Sequence, residues 1–255
     1  MKENFYLLRI TSRSKIDFKW RKKMKIKKAF KAIATFGMIL MVIVSISANV
    51  FAQKGNNNIN RGIDTIIDEI ETGTLSQAEI DGLLLMREEE KLARDVYTTL
   101  YEKWNLRAFE SIGQGSETTH MDAMKTLLDR YGLEDPVGED IPGVFQNEEL
   151  QKVYDELVEK GSQSIEDAVL VGAYIEDLDI YDLQRLIEET DNDDIKIVYQ
   201  NLLKGSRNHL RAFDRQLQRY NISYQAQFLT QEEYDRIASS TQETGGAISD
   251  PDYKF

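Results

Sequence analysis

The chain has 255 residues, 30% of them charged and 41% hydrophobic, with three prolines and no cysteine. The lack of cysteine excludes disulfides, thiolate metal sites, iron–sulfur clusters and cysteine nucleophiles. The net charge of −12 is unevenly spread: residues 1–52 are basic and the remainder is strongly acidic, a surface that repels nucleic acid and anionic membranes.

The stretch WRKKMKIKKAFKAIATFGMILMVIVSISANVFAQ runs from basic residues through an apolar core to the small residues Val50 and Ala52 before Gln53. That order predicts a secretory signal over 1–52, cleaved at Gln53, and hence a periplasmic or extracellular protein with no membrane attachment. Met24 opens a more ordinary signal than Met1, which points to a misplaced start. An uncleaved anchor is the alternative, because the apolar stretch approaches the length of a membrane span. Residues 53–74 read as a polar linker, KGNNNINRG, followed by a short lead-in helix, IDTIIDEIET.

Residues 75–225 carry four long helical patterns. The first has a capping box, Ser76 with Glu79, and an inward stripe of Leu83, Met86, Glu90, Ala93, Tyr97, Leu100 and Trp104. Glu88 and Glu89 flank that stripe and read as solvated; Glu89 replaces Glu90 inside if the phase is off by one. The second pattern covers roughly 108–131, with Gly113, Glu117, His120, Met124, Leu127 and Tyr131 inward and Gly132 as its C-terminal stop. Residues 132–163 then form a crossover with a short helix capped by Asn147. The third pattern, capped by Ser164, turns Val169, Gly172, Glu176, Asp179, Leu183 and Leu186 inward. The fourth has an acidic first turn suited to the helix dipole and turns Ile195, Tyr199, Leu202, Ser206, His209, Phe213 and Tyr220 inward. Short links within each pair and one long crossover between pairs predict an all-α fold, a four-helix bundle of ferritin-like connection. Residues 226–255 read as a short helix, FLTQEEYDRIASS, and a disordered tail.

Every stripe has polar residues at its middle: Glu90; Glu117 and His120; Glu176 and Asp179; Ser206 and His209. The last two are the only histidine and the only serine of the fourth stripe, and His120 and His209 are the chain's two histidines. Spacings of three keep each pair on one helix face. Buried acids repel one another and lose hydration, and divalent cations relieve both penalties. Carboxylate oxygen with imidazole nitrogen suits iron, manganese or zinc, and glutamates from two helices with Glu-x-x-His from two others is a di-iron arrangement in such bundles.

The pattern resembles the ferritin-like superfamily, and most of all the di-iron domain of rubrerythrin. EKLARDVY (90–97) is similar to its first ligand helix, ETTH (117–120) to its second and EDLD (176–179) to its third, whereas SRNH (206–209) has Ser206 where glutamate is usual. The whole domain also resembles the domain-of-unknown-function family 2202. The resemblance implies metal ligands Glu90, Glu117, His120, Glu176, Asp179 and His209, with Glu117 bridging. It implies two iron ions, or manganese or zinc in their place, that react with oxygen or peroxide; it allows a homo-oligomer. Tyr97, Tyr174 and Tyr199 either orient ligands or carry electrons, or simply pack in the core, the reading favoured for any one of them; Met121 and Met124 read as core. Gly205 reads either as a local bulge that re-aims His209 or as a small residue that relieves a tight helix contact. Two functions stay open: an exported di-metal redox protein acting as a ferroxidase or peroxidase, and a non-catalytic bundle with a structural, sequestering or binding role. Ser206 favours the second.

Overall fold

The computed structural model describes residues 58–255. The expected signal over 1–52 and the first part of the linker lie outside the described residues. The described chain is all-helical: α1 (Asn58–Ile67), α2 (Gln77–Trp104), α3, α4 (Glu148–Gly161), α5 (Ile165–Glu189), α6 (Asp193–Arg219) and α7 (Gln231–Ser239). Helix α3 is built of three consecutive segments, Arg107–Glu110, a π-helical Ser111–Glu117 and Thr118–Arg130. None of the described helices is long and apolar enough to cross a membrane.

The helix ends follow from their capping residues. Ser76 and Glu79 form the reciprocal capping box at the start of α2. The side chain of Asn147 accepts from Glu149 N and Leu150 N, Ser164 from Asp167 N and Thr230 from Glu233 N. After α3, Gly132 takes φ +64°, a left-handed turn that costs glycine no Cβ clash. Helix α1 starts earlier than the sequence suggests, at Asn58, taking in residues read as linker. Its Ile63 and Ile67 enter the core, so tertiary burial overrides the weak local helix preference of Asn and Gly.

Helices α2, α3, α6 and α5 form a ring in which each packs on two neighbours, while α4 lies against α2 and α5. The inward stripes are as the periodicity predicts: Leu83, Met86, Tyr97, Leu100, Met124, Leu127, Leu183, Leu202 and Phe213 are all buried. Trp104, Tyr131 and Tyr220, at the ends of their stripes, stay partly exposed, and Trp104 donates to Gly161 O at 2.8 Å.

Two expectations are corrected. Glu88 and Glu89 are buried, not solvated. Glu88 Oε1 accepts from Gln146 N (2.9 Å) and Asn147 N (3.2 Å), tying the crossover to α2. Asp95 does the same through Gly143 N, at 2.8 Å. The crossover thus covers a face of α2 that helix periodicity alone assigns to solvent. The tail is irregular but docked. Glu243 pairs with Arg207 and Arg211, Asn201 exchanges hydrogen bonds with the backbone of Ile248, and the Phe255 ring lies against Arg207, 4.3 Å from centroid to guanidinium. Buried arginines on α6 supply the partners that tail composition does not reveal.

Candidate metal centre

Glu90 on α2, Glu117 and His120 on α3, and Glu176 and His209 on the α5–α6 pair converge in the bundle interior, all of them buried. His120 Nδ1 lies 3.1 Å from Glu90 Oε2 and 3.1 Å from Glu117 Oε2. His209 Nδ1 lies 3.0 Å from Glu117 Oε1 and 3.4 Å from Glu176 Oε2. Two triads result, Glu90–Glu117–His120 and Glu117–Glu176–His209, each with its donor atoms within 4.8 Å of one another. Glu117 belongs to both and gives one oxygen to each.

The π-helical stretch positions Glu117 and its neighbour. A π turn is wider than an α turn and tends to mark functional positions. Here it ends at Glu117 and turns Ser116 Oγ onto His209 Nε2 at 2.7 Å. That contact occupies the outer ring nitrogen and leaves Nδ1 facing the two carboxylates. Sequence reasoning missed Ser116; the glycines of GQG inside a helical pattern were the one hint. The expected bulge at Gly205 is not found, because α6 is continuous from Asp193 to Arg219. Gly205 follows the other reading and relieves a tight contact, making room for His120: a Cβ there would lie 2.3 Å from His120 Nε2.

Tyr97 closes the Glu176 side. Its hydroxyl donates to Glu176 Oε1 at 2.5 Å, and its ring packs with Phe109 and Phe213 at 5.8 and 5.2 Å between centroids. Tyr174 and Tyr199 are elsewhere: Tyr174 packs on Phe228, and Tyr199 is part of the apolar core. Met124 is also core, as expected. Asp179 is not in either triad. It is partly exposed and accepts from Ser206 Oγ, because the short serine leaves it a hydroxyl to bond within the bundle.

The electrostatics are those of acids and imidazoles forced together out of water. Burial pushes the Glu90 carboxyl up to about 7, with His120 opposing the rise and Glu117 adding to it. Glu117 is desolvated too, but His209 and His120 outweigh burial and hold its carboxyl well below the usual range. Burial disfavours both imidazolium ions, yet Glu90 and Glu117 hold His120 well above its ordinary value, and Glu117 and Glu176 raise His209 to about 9. Burial raises Glu176 against the pull of His209. Protons on the imidazoles therefore supply the positive charge that buried carboxylates require.

The donor set fits divalent cations. Glu90 Oε1 and His209 Nδ1 are buried without a hydrogen bond; His209 Nδ1 is close to Glu117 but not aligned for one. Buried polar atoms in a native core normally have partners. Donor atoms each about 2.1 Å from one ion and at right angles to one another stand about 3 Å apart, close to the 3.0–3.4 Å that separates each imidazole nitrogen from its two carboxylates.

An all-helical bundle with buried carboxylates and histidines drawn from four helices defines the class of this protein. The chain belongs to the family described as "Uncharacterized protein domain (DUF2202)", which residues 79–241 match. It is similar to the "Uncharacterized protein MJ0754" of Methanocaldococcus jannaschii, with 56% identity over 171 residues, 67% of this chain and 92% of the relative. The crystal structure of hypothetical protein MJ0754 from Methanococcus jannaschii DSM 2661 aligns with a TM-score of 0.67 at 54% identity, covering 69% of this chain and 99% of that one.

Proposed function

We propose that the two triads hold two divalent cations bridged by Glu117, in a ferritin-like bundle. The observation that carries this reading is Glu117 itself, which presents one oxygen to His120 and the other to His209 in a buried cluster. Glu90 and His120 would complete one position, and Glu176 and His209 the other. Carboxylate–imidazole sets of this kind suit iron or manganese, and such ions supply electrons to oxygen or peroxide. The chain's own part is to keep the ligands buried. Ser116 fixes the outer nitrogen of His209, Tyr97 anchors Glu176 and the aromatic wall of Phe109 and Phe213 excludes water. Anaerobic titration of the metal-free protein with ferrous iron, followed by addition of peroxide, tests the reading: it requires two ions bound per chain and their oxidation.

The Ser206–Asp179 bond favours a second reading, metal sequestration without turnover, since the glutamate usual in the ferritin-like pattern is absent from α6. Two bound ions that stay ferrous when peroxide is added would select it. The basic, apolar and small residues of 1–52, in that order, support an exported location.

A further inference from the structure

The tail, 241–255, contains no helix or strand, and Ile248 is its one buried residue. Polar side chains on the outer face of α6 give it shape, and they read it in register. Asn208 exchanges two hydrogen bonds with the backbone of Glu243, at 2.9 and 3.0 Å. Lys204 donates to Gly246 O at 2.9 Å. Asn201 exchanges two with the backbone of Ile248, at 2.8 and 2.9 Å, and Gln200 donates to Pro251 O at 2.5 Å. Positions 201, 204 and 208 share one helix face. The α6 numbers fall as the tail numbers rise, so the tail runs antiparallel to the helix.

A side-chain amide that donates to a backbone carbonyl and accepts from the N–H of the same residue fits any residue except proline. The two asparagines therefore fix the path of a peptide without regard to its side chains. Selectivity comes from the ends of the tail. Arg207 grips the Glu243 carboxylate with two donors, Nε at 2.7 Å and a terminal nitrogen at 2.5 Å, and Arg211 adds a third at 3.0 Å. The Phe255 ring lies 4.3, 4.8 and 5.5 Å from the guanidiniums of Arg207, Arg236 and Arg211. Arg207 and Arg211 are buried, and a buried guanidinium that loses its carboxylate is strongly destabilised. This face thus calls for an acidic segment that ends in an aromatic residue, and the chain carries such a segment at its own terminus.

We propose that the outer face of α6 is a peptide-binding site, and that its ligand, the tail, detaches and is supplied in turn by a second copy of the chain. Two chains that trade tails make the same contacts as one chain that folds its own tail back; only the link between α7 and Glu243 differs. That link, residues 241–242, is exposed, and Arg211 holds Ser240 at its start, at 2.8 Å. A tail on so short a link competes at an effective concentration on the order of millimolar, so tail-exchanged dimers form as the chain approaches that concentration. The site lies opposite His209 on α6 and does not depend on metal.

The test uses the full chain with a protease recognition sequence inserted between Thr241 and Gln242, cut after folding. Light scattering at equilibrium should show the uncut chain passing from monomer to dimer as it nears about 1 mM. Cutting the link should return the dimers to monomers with the tail still bound. A chain that is monomeric throughout, or a dimer that survives the cut, overturns the exchange. A fluorescent peptide of residues 242–255 should replace the tail of the cut chain. Glu243→Gln in the peptide, or Asn201→Ala with Asn208→Ala in the chain, should weaken its uptake about tenfold or more. The peptide variant decides the matter if the doubly substituted chain does not fold. A cut chain that unfolds or takes up no peptide, or uptake unchanged by Glu243→Gln, overturns the site.

Discussion

The imidazoles of His120 and His209 stack 5.4 Å apart, 28° from parallel, with Nδ1 of each turned toward a different oxygen of Glu117. Two rings from α3 and α6 are thereby tied through one carboxylate. Side chains of α2 and α5 complete the cluster, so all four helices contribute to one buried polar centre.

Gly205 is predicted to be required for His120 rather than for α6. Alanine favours a helix over glycine by about 1 kcal/mol, but its Cβ would fall 2.3 Å from His120 Nε2. Overpacking of that kind costs about 1–3 kcal/mol. Gly205→Ala should therefore lower stability in urea unfolding and reduce metal binding at the Glu90–His120 position. A stabilised variant with full metal content would show that the ring has room to move.

Glu88 is predicted to serve the crossover and not the metal. Glu88→Ala leaves the Gln146 and Asn147 amides without their acceptor, a loss of about 1–3 kcal/mol. Hydrogen exchange should speed up at those two amides while metal content stays at the wild-type level. A loss of metal would place Glu88 at the centre.

Stability of the metal-free protein should fall as pH rises. His209 has a folded value of about 9, above the ~6.5 of an unfolded chain. Its ion pair is thus fully present below pH ~6.5 and is lost as pH climbs through about 9. Glu90, raised to about 7, acts in the same direction between its unfolded value and neutrality. Glu117 has a lowered value and opposes them only at acid pH, where its contribution is lost. Metal competes for the same sites as the protons, so affinity should rise from pH 6 to 9 with release of protons. Calorimetry of ferrous or manganous binding in two buffers of different ionisation enthalpy measures that release; binding without it, or affinity that falls with pH, would contradict the assignment of His209.

Export is predicted to remove the basic leader. Intact-mass analysis of the protein secreted by a bacterial host should place the mature start near Gln53. A membrane-bound product that retains 36–46 would identify an anchor instead.

Much of this architecture was legible in the sequence. Caps at Ser76, Asn147 and Ser164 marked helix starts, and three- and four-residue spacing placed Glu90, Glu117, His120, Glu176 and His209 inward. Those signals are local, and local signals set helix ends and faces. What was missed depends on contacts distant in sequence. Glu88 is buried by a crossover 58 residues away, and the tail is held by Arg207 and Arg211. The π turn at Ser111–Glu117 shifts the register of α3, which a 3.6-residue period cannot describe; Ser116 reached His209 unannounced for that reason. Asp179 kept the inward phase of Glu176 but was drawn to Ser206, a choice set by the partner helix.

The central claim is that two cations share Glu117, and ferrous titration of metal-free wild type beside Glu117→Ala, His120→Ala and His209→Ala tests it most directly. Two ions per chain are expected in wild type, about one in each histidine variant and none held tightly in Glu117→Ala, because only Glu117 belongs to both triads. Removal of a metal ligand lowers affinity at its own position first. No binding in wild type, or two ions retained in Glu117→Ala, would contradict the account.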